Sequence, residues 1–371
     1  LIMKPAYVVP TLAEVKSLSW NGLNVVSTFS GGGGSCLGFR MAGYRTLWAS
    51  EFIPLAAETY QLNHPNVFLD TRDIRQVHPD DILKRVPSGE LVHVLEGSPP
   101  CAAFSLAGKR TKGWGQVKKY SQTEQRVDDL FEEFLRLVAG VQPCVFIMEN
   151  VKGLIGGASS GVLQDTLSTM QAIGYRVEAR VLDAQWLGVP QARVIFQGVR
   201  LDLKRNPVWP KPFPYQYSIR EAVPAKMLRH SHGAPFPNHV FGKTYAGETF
   251  VNSQTDAAPQ LTESDQARVH YVFGHGHANF LQRGQPLSLN KPAPTIMATA
   301  DSVEKHLKTN WATYRRRLSM DELRLLCSFP SDFRLAGESY IRQWERFGRA
   351  VPPLMMRAVA ETIRDKIFGP V

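Results

Sequence analysis

The chain has 371 residues, 43% of them hydrophobic, which is enough to bury the core of a large globular protein and excludes a disordered one. Its 43 basic and 33 acidic residues give a net charge of +10 and a pI near 9.5, which favours a polyanionic partner such as nucleic acid. No apolar run reaches membrane-spanning length and no basic-then-apolar leader opens the chain, so we expect neither a membrane protein nor a secreted one.

The four cysteines form no CxxC pair and show no zinc-ligand spacing; they are Cys36, Cys101, Cys144 and Cys327. This pattern argues against a disulfide framework and against a structural metal site, and it suits a reducing compartment. We therefore expect a cytoplasmic protein that holds no metal ion. Separately, we expect the protein to be monomeric.

Through the first 150 residues, apolar β-rich segments alternate with helical patterns. Strands are predicted at 24–29, 46–50, 67–69, 91–95 and 145–148, and helices at 35–41, 54–63 and 123–141. This alternation is typical of a parallel α/β sheet. Ligands bind such sheets beyond the carboxyl ends of the strands, and polar residues follow each predicted strand here. We therefore expect a ligand site at that edge.

A glycine-rich turn, Gly31 to Gly34, follows the first predicted strand. With Gly38, these glycines do not form GxGxxG in any register, which disfavours a nicotinamide cofactor. They leave a backbone that a ligand can approach at a helix N-terminus, and Glu51, twenty positions after Gly31, is suited to bind ribose hydroxyls. A flexible linker is the alternative interpretation, although linkers are not usually framed by a buried strand and a helix.

The segment LVHVLEGSPPCAAFS, residues 91–105, carries Cys101 from the end of an apolar strand onto a turn stiffened by two prolines. Proline fixes φ and cannot extend the strand ladder, so the turn presents the thiol in a rigid frame as a candidate nucleophile. A lone cysteine is more often a small buried apolar residue. The nucleophile is favoured because polar residues stand in similar settings elsewhere: Glu149, Asn150, Gln191 and Arg193.

Between Pro207 and Asn290 the chain is dense in Pro, Gly, Asn and aromatic residues and lacks long helical periodicity. We interpret this region as a separate, irregular, partly β module. It contains six of the ten histidines: His230, His232, His239, His270, His275 and His277. These form no i, i+4 pair and have no cysteine among them, so solvated loop histidines are favoured over a zinc site. Helical patterns return at 320–326 and 353–367.

Eight segments resemble, in order and spacing, the motifs of the C5-cytosine DNA methyltransferases. They are FSGGGGSCLGFRMAGY (29–44), SEF (50–52), DIR (73–75), PPCAAFS (99–105), ENVKG (149–153), VPQAR (189–193), KPAPTIMA (291–298) and FGRAVPP (347–353). Any one of them is weak, but eight in the right order are very specific, and the match runs from about Asn24 to the C-terminus.

The resemblance implies an α/β fold: a Rossmann-like, S-adenosylmethionine-dependent methyltransferase sheet with a smaller, irregular, β-rich target-recognition domain. On this basis we divide the chain into a catalytic, cofactor-binding domain at 20–200 and a target-recognition domain at 201–290. Residues 291–371 would form a return segment and a C-terminal helix that complete the catalytic domain. The implied partner is double-stranded DNA and the implied product is 5-methylcytosine.

The resemblance also implies roles for the polar residues. Cytosine C5 is a poor nucleophile, so a thiolate must first add to C6, and this role is assigned to Cys101. Glu149 would protonate N3 or bind it through a strong hydrogen bond, with a raised pKa. Asn150 would brace the loop, and Arg193 would hold the base or Glu149. The sequence does not identify the base that removes the C5 proton, and water can serve.

For the cofactor, the resemblance places the adenosine between the glycine turn and the second and third strands. It assigns Phe29 and Phe52 to the adenosyl moiety, Glu51 to the ribose hydroxyls, and Asp73 with Ile74 to the adenine. The other residues assigned to the cofactor are Gly31, Gly33, Gly34, Pro100 and Arg349. A core role for Phe29 and a helix-capping role for Asp73 are the alternatives.

A duplex hides cytosine C6, so the target base has to be flipped out of the helix. After Cys101 comes a basic segment interleaved with glycines and Trp114, in which we assign DNA contacts to Lys109, Arg110, Lys112, Lys118 and Lys119. Such a loop can close over the flipped base and neutralise phosphates, and a solvated basic loop is the alternative. Gln191 of the VPQAR motif is also assigned to DNA.

Three positions depart from the family pattern: Ala102 replaces a common Gln, Ile195 replaces the second Arg of QxRxR, and Arg349 replaces the Asn of GNxVPP. An arginine beside a cationic sulfonium either turns to DNA phosphate or pairs with an acid, such as Glu149 or the cofactor's own carboxylate. Alternatively it selects carboxy-S-adenosylmethionine, and the product becomes 5-carboxymethylcytosine. An RNA cytosine methyltransferase and a catalytically impaired DNA-binding homologue are further alternatives. Restriction-modification is the expected biological setting.

Overall fold

The computed structural model describes residues 4–100, 118–120, 123–125, 129–150, 167–189, 192–224, 270–271, 290–293, 296, 315–316, 319–337 and 339–369. None of the helices in these ranges is long and apolar enough to cross a membrane. Most of the proposed target-recognition domain, 225–269 and 272–289, lies outside the described residues, and so do five of the six histidines named above.

A seven-stranded sheet with the order β3-β2-β1-β4-β7-β9-β8 forms the centre of the molecule. Its strands are β1 (Asn24–Thr28), β2 (Arg45–Ser50), β3 (Phe68–Asp70), β4 (Val94–Gly97), β7 (Val145–Asn150), β8 (Tyr175–Asp183) and β9 (Ala192–Arg200). The first five are parallel, as the alternating pattern predicts, whereas β9 is antiparallel to both β7 and β8. The five predicted strands are thus parallel as expected, and β9 alone runs in the opposite direction, because only a short connection joins β8 to β9 and no crossover helix can fit there.

The helices lie on both faces of the sheet. They are α1 (Leu12–Ser17), α2 (Gly34–Met41), α3 (Pro54–Asn63), α4 (Pro79–Leu83), α5 (Leu130–Val141), α6 (Ile219–Ala222), α7 (Met320–Leu326), α8 (Tyr340–Arg349) and α9 (Pro353–Ile363). Successive residues of a strand face opposite sides, so Val26 packs in one apolar cluster with Phe134 of α5, and Val25 packs in another with Met355 of α9. Both faces of the central strands are therefore buried.

Two predicted helices have different bounds in the structure. The helix expected from 123 begins only at Leu130, where the run of buried apolar residues starts, and Thr123–Gln125 is instead strand β6, antiparallel to β5 (Lys118–Tyr120). At the C-terminus, α9 ends at Ile363 and one π-helical turn, Arg364–Phe368, continues it. The apolar periodicity locates the core-facing part of each helix correctly, but it does not fix the end.

The C-terminal segment packs directly on the glycine-turn helix. The Tyr44 hydroxyl donates a hydrogen bond to the Ala360 carbonyl at 3.1 Å. A Cβ atom at Gly38 would lie 2.6 Å from the Pro353 carbonyl oxygen, so a glycine is required where α2 and α9 approach. These contacts hold α9 against α2.

Candidate active site

A cavity of about 980 Å³, which includes open solvent, lies at the carboxyl ends of β1, β2 and β4. This is the edge where the sequence predicts a ligand site. Nine of the ten predicted cofactor residues line it: Phe29, Gly31, Gly34, Glu51, Phe52, Asp73, Ile74, Pro100 and Arg349. The tenth, Gly33, is the N-cap of α2.

The glycine turn forms the floor of the cavity. Phe29 and Gly31 have φ angles of +52° and +56°, in the left-handed region that favours glycine, so the chain turns sharply after β1. A Cβ atom at Gly34 would lie 2.3 Å from the Val351 carbonyl oxygen, so glycine at this position lets the C-terminal segment close over the turn. The glycines therefore shape the cavity rather than link domains.

Glu51 lies at the end of β2 with only 9% of its surface exposed. Its carboxylate accepts hydrogen bonds from the backbone N–H groups of Gly31, at 2.8 Å, and Ile53, at 2.7 Å. Burial raises the pKa of Glu51, and the two backbone hydrogen bonds and the nearby Arg346 oppose that rise. The carboxylate is therefore held in one orientation at the cavity wall, an arrangement suited to ribose hydroxyls.

Asp73 and Ile74 follow β3 on the same side of the cavity. The Asp73 carboxylate accepts a hydrogen bond from the Arg75 backbone N–H at 3.0 Å and caps a short 3-10 helix. It also forms an ion pair with the Arg75 guanidinium at 2.8 Å. Asp73 is therefore a helix cap, as the alternative interpretation expected, and it also lines the cavity.

Sequence reasoning missed Glu96, which lies inside β4 rather than after it. Glu96 lines the cavity with 1% of its surface exposed, and it accepts a hydrogen bond from the Ser27 hydroxyl of β1. Burial raises the pKa of Glu96 to about 7, although the hydroxyl groups of Ser27 and Ser35 oppose the rise. The predicted strand ends at residue 95, so Glu96 directly follows it, and this position was the available signal.

Three arginines of α8 surround one buried acid, Glu345. The ion-pair distances from Glu345 are 2.9 Å to Arg349 and 3.5 Å to both Arg342 and Arg346. One of the expectations for Arg349 was that it pairs with an acid. It does so, but the acid is Glu345 instead of Glu149. Two of these arginines, Arg346 and Arg349, line the cavity.

Glu149 and Asn150 end β7, and both are buried, with 5% and 3% of their surfaces exposed. The Asn150 side-chain amide donates a hydrogen bond to the Pro99 carbonyl at 3.4 Å, which ties the turn before residue 101 to β7. Ile195 of β9 pairs with Glu149 in the sheet, and Arg193 lies two residues before it on the same strand. The strands thus bring these motif residues to one end of the sheet.

Several predicted site residues lie outside the described ranges: Cys101, Lys109, Arg110, Lys112 and Gln191. Lys118 and Lys119 belong to strand β5, where they pair with Gln125 and Glu124 of β6. Within the described residues, no cluster of His, Cys, Asp and Glu has the composition of a metal site. The assignments of Cys101 and of the DNA-contacting residues remain predictions.

Comparisons with known proteins all find methyltransferases. The model of the C-5 cytosine-specific DNA methylase family matches residues 23–365. The type II methyltransferase M1.HphI of Haemophilus parahaemolyticus is 30% identical over 354 residues, which cover 92% of this chain and 86% of that protein. M.DdeI of Desulfomicrobium norvegicum, another type II methyltransferase, is 28% identical over 388 residues, which cover 92% of this chain and 88% of that protein.

Two solved structures share the fold. The Entamoeba histolytica methyltransferase EhMeth superposes with a TM-score of 0.58 at 12% identity, covering 92% of this chain and 98% of that one. The Dnmt2 methyltransferase of S. pombe superposes with a TM-score of 0.54 at 16% identity, covering 92% of this chain and 97% of that one.

Proposed function

The chain belongs to the C-5 cytosine-specific DNA methylase family and is an S-adenosylmethionine-dependent DNA (cytosine-5-)-methyltransferase, and we propose that Cys101 is its nucleophile and Glu149 its acid. One observation supports these roles more than any other. Asn150, the residue after Glu149, donates a hydrogen bond to the Pro99 carbonyl, so the turn that leads into Cys101 is tied to the end of β7, and Pro100 of that turn lines the cavity.

In this mechanism the Cys101 thiolate adds to cytosine C6, and C5 becomes nucleophilic enough to accept a methyl group. Charge that develops on the ring is relieved at N3, where a buried carboxyl such as Glu149 can donate a proton or a strong hydrogen bond. Loss of the C5 proton, to water or another base, then lets the thiolate leave. Arg193 is proposed to hold the base or Glu149.

The residues around the cavity fit S-adenosylmethionine. Phe29 and Phe52 offer aromatic surface for the adenosyl group, Glu51 presents an oriented carboxylate for the ribose hydroxyls, and Asp73 with Ile74 borders the space for adenine. When bound, the cofactor supplies an electrophilic methyl group on a sulfonium. The protein supplies its position and excludes water from the reacting carbon.

The DNA partner is supported by the charge of +10 and by the requirement that the target base leave the duplex. We assign phosphate contacts to Lys109, Arg110, Lys112, Lys118 and Lys119, a DNA contact to Gln191, and sequence recognition to residues 201–290. Because the relatives above are type II methyltransferases, protection of DNA in a restriction-modification system is the proposed setting.

Carboxy-S-adenosylmethionine is a second candidate donor, favoured by the presence of Arg349 in the cavity wall. Arg349, however, forms an ion pair with Glu345 at 2.9 Å, and this acid offsets the positive charge of the arginine near the cofactor's sulfonium. We therefore propose S-adenosylmethionine as the donor. Weighing the product nucleosides after competition between the two donors distinguishes 5-methylcytosine from 5-carboxymethylcytosine. Comparing deoxyribose with ribose substrates tests the RNA alternative.

The experiment is to incubate the protein with mixed genomic DNA and labelled cofactor, and then to map the modified cytosines. Cys101→Ala should abolish transfer and change cofactor and DNA binding by no more than a few-fold, because only the covalent step is lost. Glu149→Gln should lower the rate of transfer by about 100-fold or more while cofactor affinity changes little.

Cys144→Ala is the matched control for Cys101→Ala. Cys144 is a buried cysteine that precedes β7, at the amino ends of the strands and away from the cavity, and it should be dispensable for transfer. Near-normal modification by Cys101→Ala would refute the mechanism, and absence of turnover by the native protein on any DNA would favour the impaired homologue.

A further inference from the structure

Glu96 is a buried acid in the cavity wall for which the reaction above has no role. It pairs with Ser27 of β1 and with Ile147 of β7 in the sheet, and Glu149 lies two residues beyond Ile147. Because alternate residues of a strand share a face, Ser27, Glu96 and Glu149 all lie on the same face of the sheet. Glu96 thus lies in the wall of the cavity, close to the serines that border the glycine turn.

The groups that face Glu96 are hydroxyls, a thiol and a phenol. Ser27 donates a hydrogen bond to the Glu96 carboxyl, and the Ser27 hydroxyl lies 2.7 Å from that of Ser30. The Cys36 sulfur of α2 lies 4.0 Å from Glu96, and the Tyr60 hydroxyl of α3 lies 3.2 Å from that sulfur.

The titratable neighbours do not supply a positive charge. Burial raises the pKa of Cys36 to about 12 and that of Tyr60 well above its ordinary value, so both are neutral at physiological pH. Glu149, the remaining acid, raises the pKa of Glu96. Among the described residues, no lysine, arginine or histidine lies within ion-pair distance of Glu96.

A buried carboxyl without a cation is held in its neutral form, because ionisation in a low-dielectric site is unfavourable. This is the state of Glu96 below pH 7, where burial has raised its pKa to about 7. An apolar residue would fill the same strand position without that penalty. The acid is therefore best explained by a cation that arrives with a ligand.

The location of Glu96 indicates which part of the ligand supplies the cation. In the sheet order, β2 with Glu51 lies on one side of β1 and β4 with Glu96 on the other. The segment after β4 continues through Ser98 and Pro100, which line the cavity, towards Cys101. If Glu51 binds the ribose, Glu96 faces the methionine half of the cofactor, which carries a sulfonium and an α-ammonium group.

We propose that Glu96 is the counter-ion for the positively charged methionine half of the cofactor and that it releases its proton to solvent when the cofactor binds. This inference rests on the proposed cofactor, but not on Cys101 or on methyl transfer. The gain is electrostatic, because an ionised carboxylate close to a cation in a buried site is stabilised far more than the same pair in water. Glu96 is thereby an affinity-determining residue for the cofactor.

Isothermal titration calorimetry of the full chain with S-adenosylmethionine, without DNA, tests the proposal. Titrations in two buffers of different ionisation enthalpy count the protons released on binding. We expect roughly one proton at pH 6 and close to none at pH 8.5 from Glu96, and a rise in affinity of roughly tenfold between pH 6 and pH 8. S-adenosylhomocysteine, which lacks the sulfonium, should show a smaller rise.

Three variants assign the signal. Glu96→Gln keeps the shape and the hydrogen bond from Ser27 but should lose this proton release and the rise in affinity, leaving only the titration of the cofactor's own amino group. Ser27→Ala keeps the acid, removes a hydrogen bond that lowers its pKa, and should shift the rise in affinity to higher pH. Glu58→Gln, an exposed acid on α3, is the matched control and should behave as the native chain.

The outcomes separate this inference from the function above. Tight binding with no proton release, or the same release from Glu96→Gln, overturns the role of Glu96 and leaves the methyltransferase intact; Glu96 would then be a structural crosslink to β1. Failure of the native chain to bind either cofactor at any pH overturns the proposed cofactor itself.

Discussion

Glu51 on β2 and Glu96 on β4 are both buried carboxyls at the edge of one cavity, but different groups stabilise them. On the β2 wall (Glu51 to Ile53), the carboxylate accepts two backbone N–H hydrogen bonds and lies near Arg346. On the β4 wall (Glu96 to Pro100), the carboxyl accepts a hydrogen bond from a serine hydroxyl and lies near the acid Glu149.

Backbone N–H groups can only donate, so on the β2 wall they favour the ionised carboxylate and oppose the rise in pKa that burial causes. A hydroxyl can donate or accept and is therefore compatible with a neutral or an ionised acid. The β2 wall is thus preorganised for neutral sugar hydroxyls, whereas the β4 wall can change its charge with its ligand.

The largest expected effect is on stability. Because the pKa of Glu96 rises from 4.5 to about 7 on folding, its contribution to stability is full below pH 4.5 and is lost as the pH rises through 7. The loss should reach at most about 3 kcal/mol at pH 8, and Glu96→Gln should recover most of it. Urea unfolding of the ligand-free protein at pH 5 and pH 8 measures this loss, with Glu58→Gln as the control. An equal pH dependence in native and Glu96→Gln proteins would contradict the neutral state of Glu96.

The next effect is on cofactor binding by the β2 wall. Glu51→Ala removes the acceptor for two backbone N–H groups and for the ribose hydroxyls, so cofactor affinity should weaken by about 1–3 kcal/mol. Calorimetry at pH 6 and pH 8 measures the loss and shows whether the pH dependence of binding remains. If Glu51→Ala instead removed the pH dependence, the two acids would have exchanged roles.

The smallest effect is expected at the arginine cluster. Arg349 already pairs with Glu345 at 2.9 Å, one turn away on the same helix, and such pairs contribute about 0.3–0.5 kcal/mol. Arg349→Asn should therefore change affinity for S-adenosylmethionine less than threefold, and methylcytosine should remain the product. A native preference for carboxy-S-adenosylmethionine that disappears in Arg349→Asn would instead assign donor selection to this arginine.

How far the sequence predicts this site depends on where each residue lies in its element. Glu51 and Asp73 follow predicted strands, and the rule that ligands bind beyond strand ends was sufficient to find them. Glu96 lies within a strand, where a polar residue is normally assigned to packing, and its partner Ser27 belongs to another strand. Only strand pairing in the folded sheet shows that the two meet.

The sequence also did not predict the directions of the last two strands or the approach of α8 to Glu51. Alternating apolar segments predicted five parallel strands, but periodicity carries no information on the direction of β8 and β9. Arg346 reaches the neighbourhood of Glu51 only because α8 returns to the sheet edge after most of the chain. Motif order placed both segments in one catalytic domain, and the fold supplied their contact.

The central claim is that Cys101 attacks the target cytosine, and a 5-fluorocytosine substrate tests it most directly. Fluorine at C5 cannot leave as a proton does, so the thiolate should stay bonded to C6 after methyl transfer. We expect a denaturation-resistant protein–DNA adduct in the presence of S-adenosylmethionine, with peptide mapping that places it on Cys101, and no adduct from Cys101→Ala. An adduct on Cys36, Cys144 or Cys327, or turnover of cytosine without any adduct, would contradict the mechanism.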